Sequence, residues 1–143
     1  MSEEFVSRST ISIDASPQQV WDVVTDPAAV KEFMFGADLE TDWTVGGPIF
    51  WRGEYEGKPY QDKGEILDVE PAARLVHTHF SPLGGEADEP QNYHTLTWML
   101  HAQDGATQLT LTQENNPSAD AAQHSQGMWD MLLADVKRIT ESR

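Results

Sequence analysis

The Asp104-Gly105 pair most constrains the fold, because a two-residue type I′ turn dictates how its flanking segments pair. With these residues at the tip, Gln103 opposes Ala106, and on one face the register pairs Leu100 with Leu109, Trp98 with Leu111, and Leu96 with Gln113. On the other face it pairs Met99 with Thr110, Thr97 with Thr112, and His101 with Gln108. One face is then apolar except for Gln113, and the other is mostly polar. A one-residue slip would destroy this separation, so the sequence predicts an antiparallel hairpin with one buried face.

The segment before this hairpin predicts one strand, two short helices and several further strands. The side chains of residues 5–13 alternate with the period of two that is typical of a strand. Ser16-Pro17 with Gln19 forms a capping box, and Asp26-Pro27 repeats the cap-then-proline signal for a second helix toward Phe33. Residues 49–56, 60–70 and 74–80 then predict strands, with a hairpin tip at Gly57-Lys58.

The last segment predicts one long helix that begins after the N-cap Ser118. Its helically spaced positions are Ala121, Ser125, Met128, Leu132, Val136 and Ile139. A helix of about 24 residues is about 36 Å long, enough to cross the domain. We therefore expect a single α+β domain over residues 1–143. In it, a curved antiparallel sheet of about six to seven strands wraps around the C-terminal helix, and two short helices follow the first strand.

The two halves of the predicted helix differ in bulk. Large apolar side chains occupy residues 128–139, whereas residues 121–127 are small or polar. A curved sheet opposite the slimmer half would be left unfilled, which predicts an internal cavity there. A flattened sheet, or a loop that fills the gap, is the alternative.

Composition narrows the classes of partner. There are 24 acidic and 9 basic residues and no cysteine, and the net charge of −15 disfavours nucleic acid. The acidic N-terminus, residues 1–5, does not resemble a secretory signal, and no apolar run is long enough to cross a bilayer. We expect a cytoplasmic protein without membrane insertion.

Six short motifs occur in the order typical of one superfamily. They are Ile13-Asp14-Ala15-Ser16-Pro17 with Val20-Trp21, Thr25-Asp26-Pro27, Val45-Gly46-Gly47, Gly64 followed by Val69-Glu70-Pro71 and Leu75, Gly105-Ala106-Thr107-Gln108-Leu109-Thr110-Leu111, and Gly127-Met128-Trp129 leading to Leu132 and Val136. The sequence resembles the START-like (SRPBCC, birch-pollen-allergen-like) superfamily. Within it, the sequence is most similar to the family named after the activator of the 90-kDa heat-shock protein ATPase. The family usually places Gly directly before Trp, whereas Met128 intervenes here.

The resemblance implies a helix-grip fold with a ligand cavity between the sheet and the long helix. Relatives bind lipids, polyketides or plant hormones, and some catalyse cyclisation. The co-chaperone branch carries an additional N-terminal domain for which this chain has no room. The resemblance therefore gives little support to chaperone binding.

Candidate site residues follow from strand parity and helix spacing. His77 and His79 share one strand face and could supply two zinc ligands, but no third ligand is indicated. Motifs for phosphate or dinucleotide binding are absent from the sequence, so we expect neither a metal nor a cofactor. Phe33 and Phe35 are predicted at the cavity mouth. The other predicted lining residues are Trp51, Tyr55, His77, His79, Leu96, Trp98, Leu111, Gln113, Ser125, Met128, Trp129 and Leu132.

These residues favour a module that binds or carries a small hydrophobic or aromatic molecule, without catalysis. One alternative is a cofactor-independent enzyme of the cyclase or dehydratase kind, using a cavity histidine with Tyr55, Tyr60 or Gln113. Another is an interaction protein, such as a chaperone regulator or a stress-response homodimer, that uses the sheet exterior.

Overall fold

The structure, a computed structural model, describes residues 5–143. The acidic segment at residues 1–4, used above to argue against a secretory signal, lies outside the described residues. The strands are β1 (Phe5–Ile13), β2 (Asp38–Glu40), β3 (Pro48–Tyr55), β4 (Lys58–Glu70), β5 (Arg74–His79), β6 (His94–Gln103) and β7 (Ala106–Asn116). The helices are α1 (Pro17–Val24), α2 (Pro27–Phe33) and α3 (Ala119–Glu141), with short 3-10 turns at Pro82–Gly84 and Pro90–Asn92. The expected α+β helix-grip architecture is confirmed.

All seven strands form one antiparallel sheet in the order β1-β7-β6-β5-β4-β3-β2. The predicted β6–β7 register is confirmed from Gln103 opposite Ala106 to Leu96 opposite Gln113. Asp104 and Gly105 both have positive φ, at 51° and 82°, as a type I′ turn requires.

The β3–β4 hairpin turns one residue earlier than the sequence predicts. Tyr55 pairs with Lys58, so Glu56 and Gly57 form the tip, both with positive φ. The predicted tip at Gly57-Lys58 is wrong because a type I′ turn needs two residues that adopt positive φ, and these are Glu56 and Gly57 here. The three-residue edge strand β2 was missed, because so short a polar segment carries no periodic signal.

Capping interactions define the helix starts as predicted. Ser16 and Gln19 form a reciprocal capping box at α1, and the Asp26 side chain accepts from the Ala28 N–H at α2. The Ser118 hydroxyl accepts from the Ala121 N–H and begins α3. Each cap satisfies an amide that has no partner within its helix.

The core lies between the concave face of the sheet and the C-terminal half of α3. From α3 it takes Trp129, Leu132, Leu133, Val136 and Ile139, all buried. Full burial of one such aliphatic side chain stabilises the fold by about 1.5–3 kcal/mol relative to exposure. Met131 is 68% exposed, so the C-terminal half of α3 is not apolar on every side.

Among residues 5–143, no helix has both the length and the hydropathy needed to cross a membrane.

Candidate ligand-binding site

An open cavity lies beside the N-terminal half of α3. Its volume is about 420 Å³. The helix contributes Ser125, Met128 and Trp129 to its wall. The remaining lining residues come from the sheet and the connecting loops: His79, Phe80, Ser81, Glu86, Gln91, Asn92, His94, Gln113, Asn115 and Pro117. The cavity therefore lies where the slim segment of the helix, residues 121–127, meets the bulkier segment that begins at Met128.

A buried polar network anchors this half of α3 to the sheet. Gln113 accepts from the Trp129 indole N–H at 3.1 Å and donates to Asn116 at 2.7 Å. The Asn116 amide in turn donates to the Ser7 hydroxyl at 3.1 Å, and Ser7 donates to the Ala122 carbonyl at 2.8 Å. These hydrogen bonds replace the apolar packing that holds the C-terminal half, and they orient Trp129 at the cavity wall.

A second, inner cavity lies deeper between the sheet and the helices. Its volume is only about 20 Å³, roughly enough for one water. Its walls are mostly apolar: Val24, Val30, Phe33, Met34, Leu39, Trp43, Ile49, Trp51, Leu75, His77, His79, Leu96, Trp98 and Trp129. The deep interior is therefore nearly filled. His79 and Trp129 line both cavities and so lie at their boundary.

His77 is a buried, neutral histidine with both ring nitrogens in use. Its Nδ1 lies 2.9 Å from the Thr78 carbonyl oxygen, which can only accept, so Nδ1 carries the proton. Its Nε2 accepts from the Trp98 indole N–H at 3.1 Å. Burial lowers the pKa of His77 to about 4, with a smaller contribution from neighbouring His79. This residue holds Trp98 in place and has no free lone pair for proton transfer.

His79 and Asp62 form a pair at the boundary between the two cavities. His79 Nε2 lies 2.9 Å from Asp62 Oδ2, and each side chain is 14% exposed. The His79 ring also meets the Trp51 ring edge to face, with centroids 5.0 Å apart.

Gly64 lets this part of β5 approach β4 closely. A Cβ at Gly64 would lie 1.9 Å from the Thr78 carbonyl oxygen, so no other residue fits without moving the strand. The backbone of β5 thus passes directly over Gly64, two residues from Asp62 on one strand and one residue from His79 on the other. This close approach supports the Asp62–His79 contact.

His94 faces His79 across the β5–β6 pair. Burial is the largest cause of its lowered pKa, opposed by a hydrogen bond from its ring to the Glu114 carbonyl oxygen. Within residues 5–143, no cluster of three or more His, Asp or Glu residues has the arrangement of a metal site.

The structure brings most of the predicted site residues together, in two groups. The inner cavity takes Phe33, Trp51, His77, Leu96 and Trp98, the outer cavity takes Gln113, Ser125 and Met128, and His79 and Trp129 belong to both. Leu111 and Leu132 lie in the filled core and line neither cavity.

Phe35 and Tyr55 are not part of the cavity walls. Phe35 is 61% exposed because the chain turns outward after α2, where its φ is 57°. Tyr55 has the inward parity of Trp51 but is 56% exposed, because it is the last strand residue before the hairpin tip. Phe33, which was predicted beside Phe35 at the mouth, instead lines the inner cavity and is 2% exposed.

Sequence reasoning missed Asp62, His94 and the loop residues that line the outer cavity. Asp62 has the same strand parity as buried Ile66, so alternation along β4 could have indicated that this carboxylate points inward. The loop residues Glu86, Gln91 and Asn92 have no comparable signal, because irregular backbone carries no periodicity.

A curved antiparallel sheet closed by a long C-terminal helix, with a cavity between them, is the helix-grip fold of the START-like class. Residues 14–141 match the family model described as "Activator of Hsp90 ATPase homolog 1-like protein". The chain belongs to this family, and the resemblance inferred from the sequence is confirmed. No curated protein sequence matches the chain.

Solved structures support the same fold. The solution structure of ChR145 from Cytophaga hutchinsonii is 37% identical, with a TM-score of 0.87 over 99% of this chain and 97% of that chain. DynU16, from the dynemicin biosynthetic locus, is 22% identical, with a TM-score of 0.78 over 96% of this chain and 47% of that one. The Aha1 dimer from Colwellia psychrerythraea is 18% identical, with a TM-score of 0.71 over 92% of each chain. The latter two, below 25% identity, show the fold alone.

Proposed function

We propose that the protein binds or carries a small aromatic or hydrophobic molecule in the outer cavity. The observation that carries this proposal is the cavity of about 420 Å³ beside the N-terminal half of α3, where Ser125, Met128 and Trp129 form its helical wall. That volume falls within the range of about 300–1,000 Å³ typical of small-molecule sites. Because the inner cavity is nearly filled, the ligand occupies the outer cavity and abuts Trp129 and His79 at the boundary.

The wall of the outer cavity suits a flat ligand with a few polar groups. Phe80 gives one side an aromatic surface, and its ring stacks on Tyr93 outside the cavity wall with centroids 5.1 Å apart. Met128 and Trp129 give the helix side an apolar surface, and Gln113 is held by its own hydrogen bonds. Nine of the thirteen lining residues are polar, so the wall offers hydrogen-bond partners beside the apolar surface of Phe80, Met128 and Trp129. This combination favours recognition by shape and selective hydrogen bonding.

Catalysis by His77 is not supported, since neither of its ring nitrogens can take a proton from a ligand without breaking an existing hydrogen bond. We therefore propose binding as the primary role and do not assign a reaction.

The test is a panel of aromatic and aliphatic compounds, with Trp fluorescence and melting temperature as readouts. A ligand at about 100 times its Kd stabilises the folded state by about 2.7 kcal/mol, a shift that thermal unfolding resolves readily. The variant Ser125→Phe should fill the outer cavity and abolish binding. Gln126→Phe, on the exposed face one residue along α3, is the matched control and should bind as the unmodified protein does.

Two results would contradict the proposal. One is the absence of any stabilising compound across a broad panel. The other is unchanged affinity in Ser125→Phe, which would place the ligand elsewhere on the protein.

A further inference from the structure

We propose that His79, oriented by Asp62, is the group that selects the ligand, and that it selects a phenol or an enol by accepting a hydrogen bond from its hydroxyl group. This inference rests on the proposed function and adds the chemical class of the ligand. It follows from the hydrogen bonding of the two His79 ring nitrogens and from the position of His79 and Asp62 between the two cavities.

The Asp62 contact determines which His79 nitrogen can accept. An ionised carboxylate has no proton to donate, so the 2.9 Å contact places the proton of the neutral ring on Nε2. Nδ1 is then the nitrogen with the lone pair. A ligand hydroxyl can donate to it, whereas an ether or carbonyl oxygen cannot.

Of the two His79 ring nitrogens, Nδ1 is the one available to a ligand. It makes no hydrogen bond with any residue in the described range 5–143, in contrast to Nδ1 of His77, which donates to the Thr78 carbonyl. The His79 side chain is 14% exposed and lines both cavities, so a molecule in the outer cavity has access to it. Contact with Trp51 restricts rotation of the ring and keeps this nitrogen in place.

The surroundings of Asp62 suit a residue that orients His79 better than one that stabilises the fold. Its Oδ1 is buried and has no hydrogen-bond partner within residues 5–143. Such a half-satisfied buried carboxylate is costly, and buried ion pairs often stabilise a fold less than apolar residues of similar size. Its single contact does, however, set the tautomer and the orientation of an imidazole on the wall of a cavity.

The experiment compares two ligands of nearly equal shape, 2-naphthol and 2-methoxynaphthalene, by titration at pH 7.5. Only the first can donate a hydrogen bond. In the unmodified protein we expect 2-naphthol to bind about tenfold more tightly, because one hydrogen bond to a buried acceptor is typically worth about one decade in affinity. His79→Phe, which keeps an aromatic ring beside Trp51 but has no acceptor, and Asp62→Leu, which cannot orient the imidazole, should each reduce this ratio to about threefold or less, whatever happens to the absolute affinities. His101→Phe, on the exposed convex face, should leave the ratio unchanged.

The ratio separates a recognition role from a structural one, because damage to the cavity weakens both ligands together. If both compounds bind with equal affinity to the unmodified protein, the inference is wrong while the proposed function stands. If the preference persists in both His79→Phe and Asp62→Leu, another group provides it and the inference is likewise wrong. If neither compound nor any other member of the aromatic panel binds, the proposed function fails and the inference fails with it.

Discussion

Protonation of the buried His77 should make the stability of this protein depend on pH between about 6.5 and 4. The pKa of His77 falls from 6.5 in the unfolded chain to about 4 in the folded protein, because the ring is buried, with a smaller contribution from His79. In that window the unfolded chain binds more protons than the folded one, so stability falls as pH falls. The contribution is complete above pH 6.5 and is lost on the way to pH 4.

The magnitude follows from the two pKa values. Between pH 7.5 and pH 5, the His77 contribution to the free energy of unfolding falls by about 2 kcal/mol. Each pH unit below the unfolded-state pKa of 6.5 removes about 1.4 kcal/mol, as long as the folded-state histidine stays neutral. Arg143 lowers the pKa of Asp26, and Lys137 lowers the pKa of Glu141. Measurements at pH 5 and above avoid the more acidic range in which these two carboxyl groups gain protons.

The assay is urea unfolding followed by tryptophan fluorescence at pH 7.5, 6 and 5, in the unmodified protein and in His77→Gln. The amide of Gln can donate and accept in place of the imidazole but takes up no proton. The unmodified protein should therefore lose about 2 kcal/mol more than the variant over this range. The contribution of His94 is present in both proteins and cancels in the difference. His101→Gln, exposed on the convex face, should keep the full pH dependence. Equal pH dependence in the unmodified protein and His77→Gln would refute the reasoning.

Three further predictions concern stability and can be measured by the same unfolding experiment. Gly64→Ala should destabilise the protein by about 2 kcal/mol or more, because the new methyl group would clash with the Thr78 carbonyl. Gly127→Ala is the comparison: its backbone is helical and no atom lies near the new Cβ, so it should stabilise the protein by about 0.5–1 kcal/mol. Ser118→Ala should cost about 1 kcal/mol through loss of the α3 cap, and a change below about 0.3 kcal/mol would contradict the role of that cap. Gln113→Leu should cost about 1–3 kcal/mol, because it leaves a buried indole N–H without its acceptor; an unchanged midpoint would show that water replaces the amide.

Local features of the fold could be predicted from the sequence because they depend on neighbouring residues alone. The Asp104-Gly105 turn determines its own hairpin register, and Ser16, Asp26 and Ser118 each satisfy amides within three positions along the chain. The same reasoning placed the tip of the β3–β4 hairpin one residue late, since several polar residues there could form the turn.

The composition of the site could be predicted only in part. Strand parity correctly indicated that Trp51 and Trp98 point inward, but parity alone does not say where the sheet extends beyond the helix, and so Tyr55 was misplaced. The difference in side-chain size along α3 correctly indicated that the part of the core beside Leu132 and Val136 would be filled. It did not indicate that the space between Trp51, His77 and Trp98, where lining residues were predicted, would be nearly filled as well.

The amino-acid pattern by itself determined the order of elements, the hairpin register, the caps and the family, because each depends on local spacing or on motifs read along the chain. Three features depended on the tertiary structure. They are the contact between Asp62 and His79, the hydrogen bond that Trp98 donates to His77, and the division of the interior into an open cavity and a nearly filled one. These contacts join residues 17 and 21 positions apart across different strands. Sheet curvature and the close passage over Gly64 bring them together, and neither is encoded in the periodicity of any one segment.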